Sequence, residues 1–260
     1  MVHTLHAAES GHANLLIRTI DTDVLVLAVA RQQDITTDET WVAFGTGKHF
    51  RYIAVHKIAE RLGIDRSKAL PMFHALTGCD TVSYFARRGK IQAWDLWHAF
   101  NEITATFSLL ASGTTTSIPL EVVSVIERFV VLLYNRTSAQ VKVNAARQEL
   151  FAKGNRSIEN IPPTQAALVQ HLRRAVYQGG LILGNCLVPK PTLPSPSKWG
   201  WQKKNETWTL VWTELAQAQE TCYELIHCGC KKGCRGRCKC VKANLVCTAL
   251  CHCGGECDRG

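Results

Sequence analysis

The feature that most constrains this chain is a dense run of cysteines near its C-terminal end. Nine of its twelve cysteines lie within residues 228–257, where they form three Cys-x-Cys pairs. The nine are Cys228, Cys230, Cys234, Cys238, Cys240, Cys247, Cys251, Cys253 and Cys257. The sequence opens with neither the cationic start nor the compact apolar run of a secretory signal, so we expect an intracellular protein. In a reducing compartment, such a segment favours a metal site over a disulfide framework.

The number of thiols predicts how the metal is held. A structural zinc ion takes four ligands in tetrahedral geometry, so three separate ions would need twelve thiolates. Nine suffice if three sulfurs each bridge two ions. A Cys-x-Cys pair is too short to wrap around one ion, but it can supply one terminal and one bridging sulfur to a compact cluster. The spacing therefore predicts a fused cluster of about three zinc ions.

The same segment is basic. It holds seven lysines and arginines against two acidic residues within residues 228–260, in a chain of net charge +9. The basic residues interleaved with the cysteines are Lys231, Lys232, Arg235, Arg237, Lys239 and Lys242. They either contact nucleic-acid phosphates, which gives salt-sensitive and sequence-independent binding, or only balance the negative charge of the zinc–thiolate cluster.

This pattern resembles the tesmin/TSO1-like CXC module over residues 228–257. The resemblance implies a three-zinc cluster on the nine cysteines and a module that binds DNA. Some DNA-binding members carry a tyrosine directly before the second Cys-x-Cys pair, where this chain has Arg237. Arginine also enters narrow minor grooves, so the substitution leaves the DNA sequence preference open.

The rest of the chain has the composition of a globular protein, 46% hydrophobic and 20% charged, without a membrane-spanning run. Residues 15–20 and 41–44 predict strands, and residues 24–30 predict a strand or a buried helix. Helical patterns dominate after Pro119. Strands alternating with helices, then helices alone, indicate an α/β domain with a helical extension.

We expect three parts along the chain. Residues 1–187 would form the α/β domain with its extension, residues 188–206 a proline-rich linker, and residues 207–260 the zinc module. Trp199 and Trp201 lie in the predicted linker. They dock on a domain or stack on a nucleic-acid base, and docking is favoured because isolated aromatic side chains usually bury apolar area.

Three aspartates follow predicted elements. Asp21 and Asp23 come directly after the strand of residues 15–20, and Asp80 closes a helix predicted to end at Gly78. Carboxylates at such ends can converge on Mg²⁺ or Mn²⁺, which prefer oxygen ligands. Two ions about 4 Å apart would position water for phosphodiester cleavage. Alternatively, the Asp-x-Asp pair caps a helix and Asp80 only terminates one.

The combination resembles the XPG/flap-endonuclease-like nucleases of the PIN-like superfamily. In these a strand leads into Asp-x-Asp, and a later Leu-x-Gly-Cys-Asp precedes a helix–turn–helix element that grips duplex DNA. Residues 20–25 and 76–80 match, and the resemblance spans about residues 3–100. It implies a partial three-layer α/β domain. It also implies that Asp21, Asp23 and Asp80 are metal ligands. By the same resemblance, Arg87, Arg88 and Lys90 contact nucleic-acid phosphates.

Two departures from that family lower the expected activity. Its acidic pair on a helix before the Asp-x-Asp strand would fall before Met1, so we expect an N-terminally truncated gene product or fragment. The family's small Gly-x-Gly hairpin is replaced by Arg87-Arg88-Gly89. We therefore expect weak or absent nuclease activity from these residues alone.

Two functional hypotheses follow. The first is a nuclear, nucleic-acid-associated protein with a nuclease-like domain, which hydrolyses phosphodiesters if acidic residues upstream complete it, and a zinc module that places it on DNA. The second is a non-catalytic scaffold whose two parts only bind DNA, chromatin or protein partners.

Overall fold

A computed structural model describes residues 1–152, 158–214, 228–230, 234–243, 245–247 and 251–254. The chain divides into two compact units, Met1–Thr213 and Glu214–Gly260. The first unit is a mixed helix and strand domain, and the second contains the cysteines. Within the described residues, no helix is both long and apolar enough to cross a lipid bilayer.

The N-terminal part of the first unit carries a three-stranded sheet with the order β1-β2-β3. Strand β1 pairs in parallel with β2, and β2 pairs antiparallel with β3. The elements up to the end of the longest helix are α1 (Val2–Glu9), β1 (Asn14–Thr19), α2 (Thr22–Arg31), β2 (Glu39–Phe44), β3 (Arg51–Ala54) and α3 (Val55–Leu76). The strands predicted at residues 15–20 and 41–44 are confirmed.

The ambiguous apolar run after β1 is helix α2. Its residues Val26 to Ala30 are all buried. Ala28 and Val29 pack with Val42 of β2 and Ala59 of α3, so the helix has apolar neighbours on several sides. A helix buried this completely has no amphipathic periodicity, which is why the sequence pattern left strand and helix open.

Helix α3 is kinked at Gly63. This glycine has φ 76° and ψ 169°, a conformation that L-residues rarely adopt. Gly63 therefore divides α3 into two arms, residues 55–62 and residues 64–76. The second arm ends at Leu76 and delivers His74 to the end of β1, as described below.

The described residues between Lys90 and Ala175 are mainly helical, as predicted for the part of the chain after Pro119. The helices are α4 (Lys90–Ala99), α5 (Ile103–Leu110), α6 (Leu120–Tyr134), α7 (Val143–Ala152) and α8 (Gln165–Ala175). Their apolar faces form the main core around Phe73, Trp97, Phe107 and Phe129. Thr164 caps the N-terminus of α8, because its Oγ1 accepts a hydrogen bond from the backbone N–H of Ala167.

The segment predicted as a linker is partly built into the first unit. Trp199 is only 3% exposed and belongs to the main core, so the predicted docking of this tryptophan is confirmed. Strands β4 (Trp201–Lys204) and β5 (Thr207–Leu210) then form a hairpin. The buried Arg174 of α8 donates from Nη1 to the carbonyl oxygens of Gly200 and Val211. The first compact unit ends at Thr213, after this hairpin.

Candidate metal centre

Eight of the nine predicted zinc ligands lie in the described residues, and their sulfurs converge. Three overlapping groups of four have all their sulfurs within 4.8 Å of one another. These groups are Cys228/Cys240/Cys247/Cys251, Cys228/Cys234/Cys247/Cys253 and Cys228/Cys230/Cys234/Cys238. The ninth predicted ligand, Cys257, lies outside the described residues, as does Cys222.

The sulfur spacing fits zinc and excludes disulfides at these positions. A zinc–sulfur bond of about 2.3 Å places tetrahedral thiolates about 3.8 Å apart. The Sγ atoms of Cys228 and Cys253 are 3.9 Å apart, and those of Cys240 and Cys251 are 3.6 Å apart. A disulfide would need about 2.05 Å, which is far shorter than either of these separations. The donor set and its spacing therefore suit a tetrahedral thiophilic metal.

Three sulfurs stand at the centre of the arrangement. The Sγ atoms of Cys228, Cys234 and Cys247 form a triangle with sides of 3.6, 3.8 and 3.5 Å. Each of them belongs to at least two of the four-sulfur groups, whereas each of the other five belongs to one. The ratio of nine thiols to three zinc ions predicts that some sulfurs are shared between sites, as these three are between the four-sulfur groups.

Short-range backbone bonds hold these thiols in place. Cys238 precedes a single helical turn, α9 (Lys239–Lys242), which points the buried Cys240 inward. The His252 N–H donates to the Cys228 carbonyl at 2.8 Å, joining the two ends of the cluster. His252 itself is exposed.

The same environment shifts thiol acidity in opposite directions. The backbone N–H of Val241 stabilises the Cys238 thiolate and lowers the pKa of Cys238 to about 6. Burial, together with a hydrogen bond to Cys251, raises the pKa of Cys240 to about 12. Bringing these sulfurs together without a metal therefore requires some to keep their protons, and a bound cation would displace those protons.

Basic side chains lie on the outside of the cluster. Arg235 and Arg237 are exposed, whereas the flanking Cys234 and Cys238 are buried. Sulfur therefore points inward and positive charge outward along this stretch. Lys231 and Lys232, also predicted to contact nucleic acid, lie outside the described residues.

The predicted acidic site has a different arrangement from the cysteine cluster. Asp21 is the N-cap of α2, and its Oδ1 accepts from the Asp23 N–H at 2.8 Å. Asp23 Oδ1 lies 2.7 Å from His74 Nε2. Asp80 is exposed in the turn after α3. Among the described residues, the groups with ligand atoms close enough to share a metal consist of cysteines alone, so Asp21, Asp23 and Asp80 do not form such a group.

A histidine and a lysine fill the space beside Asp23. Burial, with the Lys90 charge as the second cause, lowers the pKa of His74, so its neutral ring donates to Asp23. Lys90 Nζ donates to the His74 carbonyl at 2.8 Å and to Thr77 Oγ1 at 2.9 Å. Partial burial lowers the pKa of Lys90 to about 8. The sequence assigned Lys90 to nucleic-acid phosphates, whereas the structure places its ammonium at the C-terminal end of α3.

The two arginines predicted to contact phosphates differ in the groups that surround their side chains. Arg87 Nε donates to Glu159 Oε2 at 2.6 Å, an exposed ion pair that already neutralises this guanidinium. Arg88 lies with its guanidinium carbon 4.7 Å from the centre of the Tyr134 ring. Glu159 is 72 residues from Arg87 in the sequence, so no local pattern predicts this pairing.

The sequence did not predict the second histidine network. His171 Nε2 donates to the Leu76 carbonyl at 2.8 Å, and its Nδ1 lies 3.2 Å from Ser83 Oγ. Burial lowers the pKa of His171 to about 4, so the ring is neutral at physiological pH. Its position on the buried side of amphipathic helix α8 is the only sequence signal for it.

Comparison with protein-family models, with curated proteins and with solved structures found no match for this chain. The function is therefore inferred from the geometry of the sites themselves. Of the predicted functional features, the metal-binding module is the best supported, because its thiols converge.

Proposed function

We propose that this chain is a nucleic-acid-associated binding protein whose C-terminal module is a three-zinc thiolate cluster of the tesmin/TSO1-like CXC type. The observation that carries the proposal is the set of three four-sulfur groups that share Cys228, Cys234 and Cys247. Separate mononuclear sites would share no sulfurs, and a disulfide framework would bring sulfurs together in pairs.

The geometry suggests which sulfurs bridge. Cys228, Cys234 and Cys247 have the mutual spacing of three thiolates in a ring that alternates with three metal ions. Each would then bridge two ions. The ion held by Cys234, Cys247 and Cys253 would take Cys257 as its fourth ligand, which leaves Cys228 to bridge the other two. This assignment uses all nine thiols as three bridging and six terminal ligands.

The outward charges support nucleic acid as the partner. Three zinc ions with nine thiolates carry a net charge of about −3, and the exposed Arg235, Arg237, Lys239 and Lys242 lie on the module's surface. Phosphate contacts of this kind give affinity that falls steeply with salt. A nuclear location follows from this proposal.

For the first unit we favour binding over catalysis. The nuclease-like resemblance requires carboxylates that converge on Mg²⁺, but among the described residues no three acidic side chains have their ligand atoms within 4.8 Å of one another. Asp23 is already hydrogen-bonded to His74, with Lys90 close by. A non-catalytic scaffold therefore fits these residues better than phosphodiester hydrolysis, which would need further acidic ligands.

Two experiments test this function. Binding of zinc-loaded protein to duplex DNA should weaken in Arg235→Ala and Arg237→Ala and stay unchanged in the exposed control Arg61→Ala of α3. Equal binding by all three would mean that the basic residues only balance the cluster charge. Incubation with flapped DNA and Mg²⁺ should give no cleavage, and cleavage that disappears in Asp80→Asn would establish the enzyme instead.

A further inference from the structure

Three cavities in the first unit share lining residues with one another, and together they are called the groove. Their volumes are about 290, 350 and 220 Å³. Tyr84 lines the first and second, Arg88 the second and third, and Tyr134 the first and third. The groove therefore runs around the segment that joins α3 to α4, along the helices of the extension.

The groove is lined by positive charge. Five cationic side chains contribute to its walls, Arg88, Lys90, Arg136, Arg147 and Arg174. In the described part of the chain, none of the three cavities has an aspartate or glutamate in its lining. Arg174 and Arg147 are anchored to backbone carbonyls, of Val211 and Pro162 respectively. A carbonyl fixes a guanidinium without cancelling its charge, so both residues keep their positive charge in the lining of the groove.

Aromatic side chains lie among these cations in the lining of the groove. Tyr84 is 75% exposed and Trp212 is 61% exposed, although burying such rings is strongly favourable. The Arg174 guanidinium carbon lies 5.7 Å from the centre of the Trp212 ring, and Arg88 lies over Tyr134. Exposed rings beside cations are the arrangement on which unpaired bases stack while their phosphates meet positive charge.

We infer that this groove binds single-stranded nucleic acid, with bases stacked on Tyr84 and Trp212 and phosphates beside Arg88, Arg136 and Arg147. A duplex keeps its base faces covered, so it would use the cations without the rings. An acidic peptide would likewise leave the rings unused. The inference is independent of the zinc module because every lining residue belongs to the first unit.

The test compares an end-labelled oligothymidine with an abasic oligomer of the same length, both titrated by fluorescence anisotropy against the zinc-loaded full chain. We expect the oligothymidine to bind roughly five-fold tighter or more, since stacking contributes at least about that much per base. Tyr84→Ala and Trp212→Ala should abolish the difference. The controls Tyr52→Ala and Trp208→Ala change aromatic residues that are also exposed but lie outside the groove, and they should preserve it.

The phosphate contacts are tested separately, by the salt dependence of binding. Arg136→Ser should reduce the slope of log affinity against log salt by about 0.7, the value expected for one lost single-strand phosphate contact, whereas Arg61→Ser should not. Thermal unfolding of each variant confirms that it is folded. Equal affinity for the two oligomers, or competition by polyglutamate but not by oligothymidine, would overturn the inference. If only Arg235→Ala and Arg237→Ala weaken binding, the groove inference fails and the zinc-module proposal stands.

Discussion

His74 Nε2 lies 2.7 Å from Asp23 Oδ1, although the two residues are 51 positions apart in the sequence. The bond joins the second arm of α3 to the beginning of α2, at the end of the parallel strand β1. His74 is buried and Asp23 only partly exposed, so the pair is largely shielded from water. Asp23, the second aspartate of the Asp-x-Asp motif, therefore stabilises the fold by accepting a hydrogen bond from His74.

We predict that Asp23→Ala destabilises the first unit by about 1–3 kcal/mol, because it leaves the buried His74 N–H without its acceptor. Asp80→Ala changes an exposed turn residue and should alter the free energy of unfolding by less than about 0.5 kcal/mol. Urea denaturation measures both. Equal effects of the two substitutions would contradict this role of Asp23. Stabilisation of the wild type by Mg²⁺ that Asp23→Ala removes would show that Asp23 is a metal ligand instead.

Stability should fall on acidification because of buried neutral histidines. Burial lowers the pKa of His171 to about 4 and also lowers the pKa of His74. The unfolded chain protonates its histidines near pH 6.5, so it binds more protons than the folded chain below that pH. Stability is therefore fully present above about pH 6.5 and is lost as the pH falls towards 4, by roughly 1.4 kcal/mol per pH unit for His171, and His74 adds to this loss in the same direction.

Thermal unfolding between pH 8 and pH 4.5 measures this loss. The pH dependence should be shallower in His171→Gln than in the wild type, and unchanged in His12→Gln, which alters an exposed histidine. A His171→Gln profile parallel to that of the wild type would contradict the assignment.

Gly180 allows the π-helical segment Val176–Ile182 to approach α5 closely. A Cβ at Gly180 would lie 2.1 Å from the Leu110 carbonyl oxygen, whereas a Cβ at Gly89 would meet nothing within 4 Å. We predict that Gly180→Ala costs about 1–3 kcal/mol of unfolding free energy through overpacking, and that Gly89→Ala costs much less. Chemical denaturation compares the two. Similar stabilities would mean that the segment moves away without cost.

Local features were predictable from the sequence and long-range ones were not. The thiol cluster followed from cysteine count and spacing, since most of its ligands are close in sequence. The kink at Gly63 and the Thr164 cap also have local signals. Helix α2 was ambiguous because burial on several sides removes periodicity. The Asp23–His74 and Arg87–Glu159 pairs join distant residues, so no local spacing reveals them.

The shared-sulfur arrangement predicts that zinc binding depends more on some cysteines than on others. Cys247→Ser removes a sulfur that belongs to two of the four-sulfur groups, whereas Cys230→Ser removes one that belongs to a single group. We expect Cys247→Ser to lose more zinc per chain and to release the remaining zinc faster to a chelator. Equal loss from the two variants would indicate separate sites without bridging sulfurs.

Native mass spectrometry of the chain, purified under reducing conditions, tests the central claim most directly because it counts metal ions and protons together. We predict three zinc ions per chain, with a mass that shows the nine clustered thiols deprotonated and no disulfide formed. A chain with one zinc ion or none, or with these sulfurs paired as disulfides, would contradict the fused cluster.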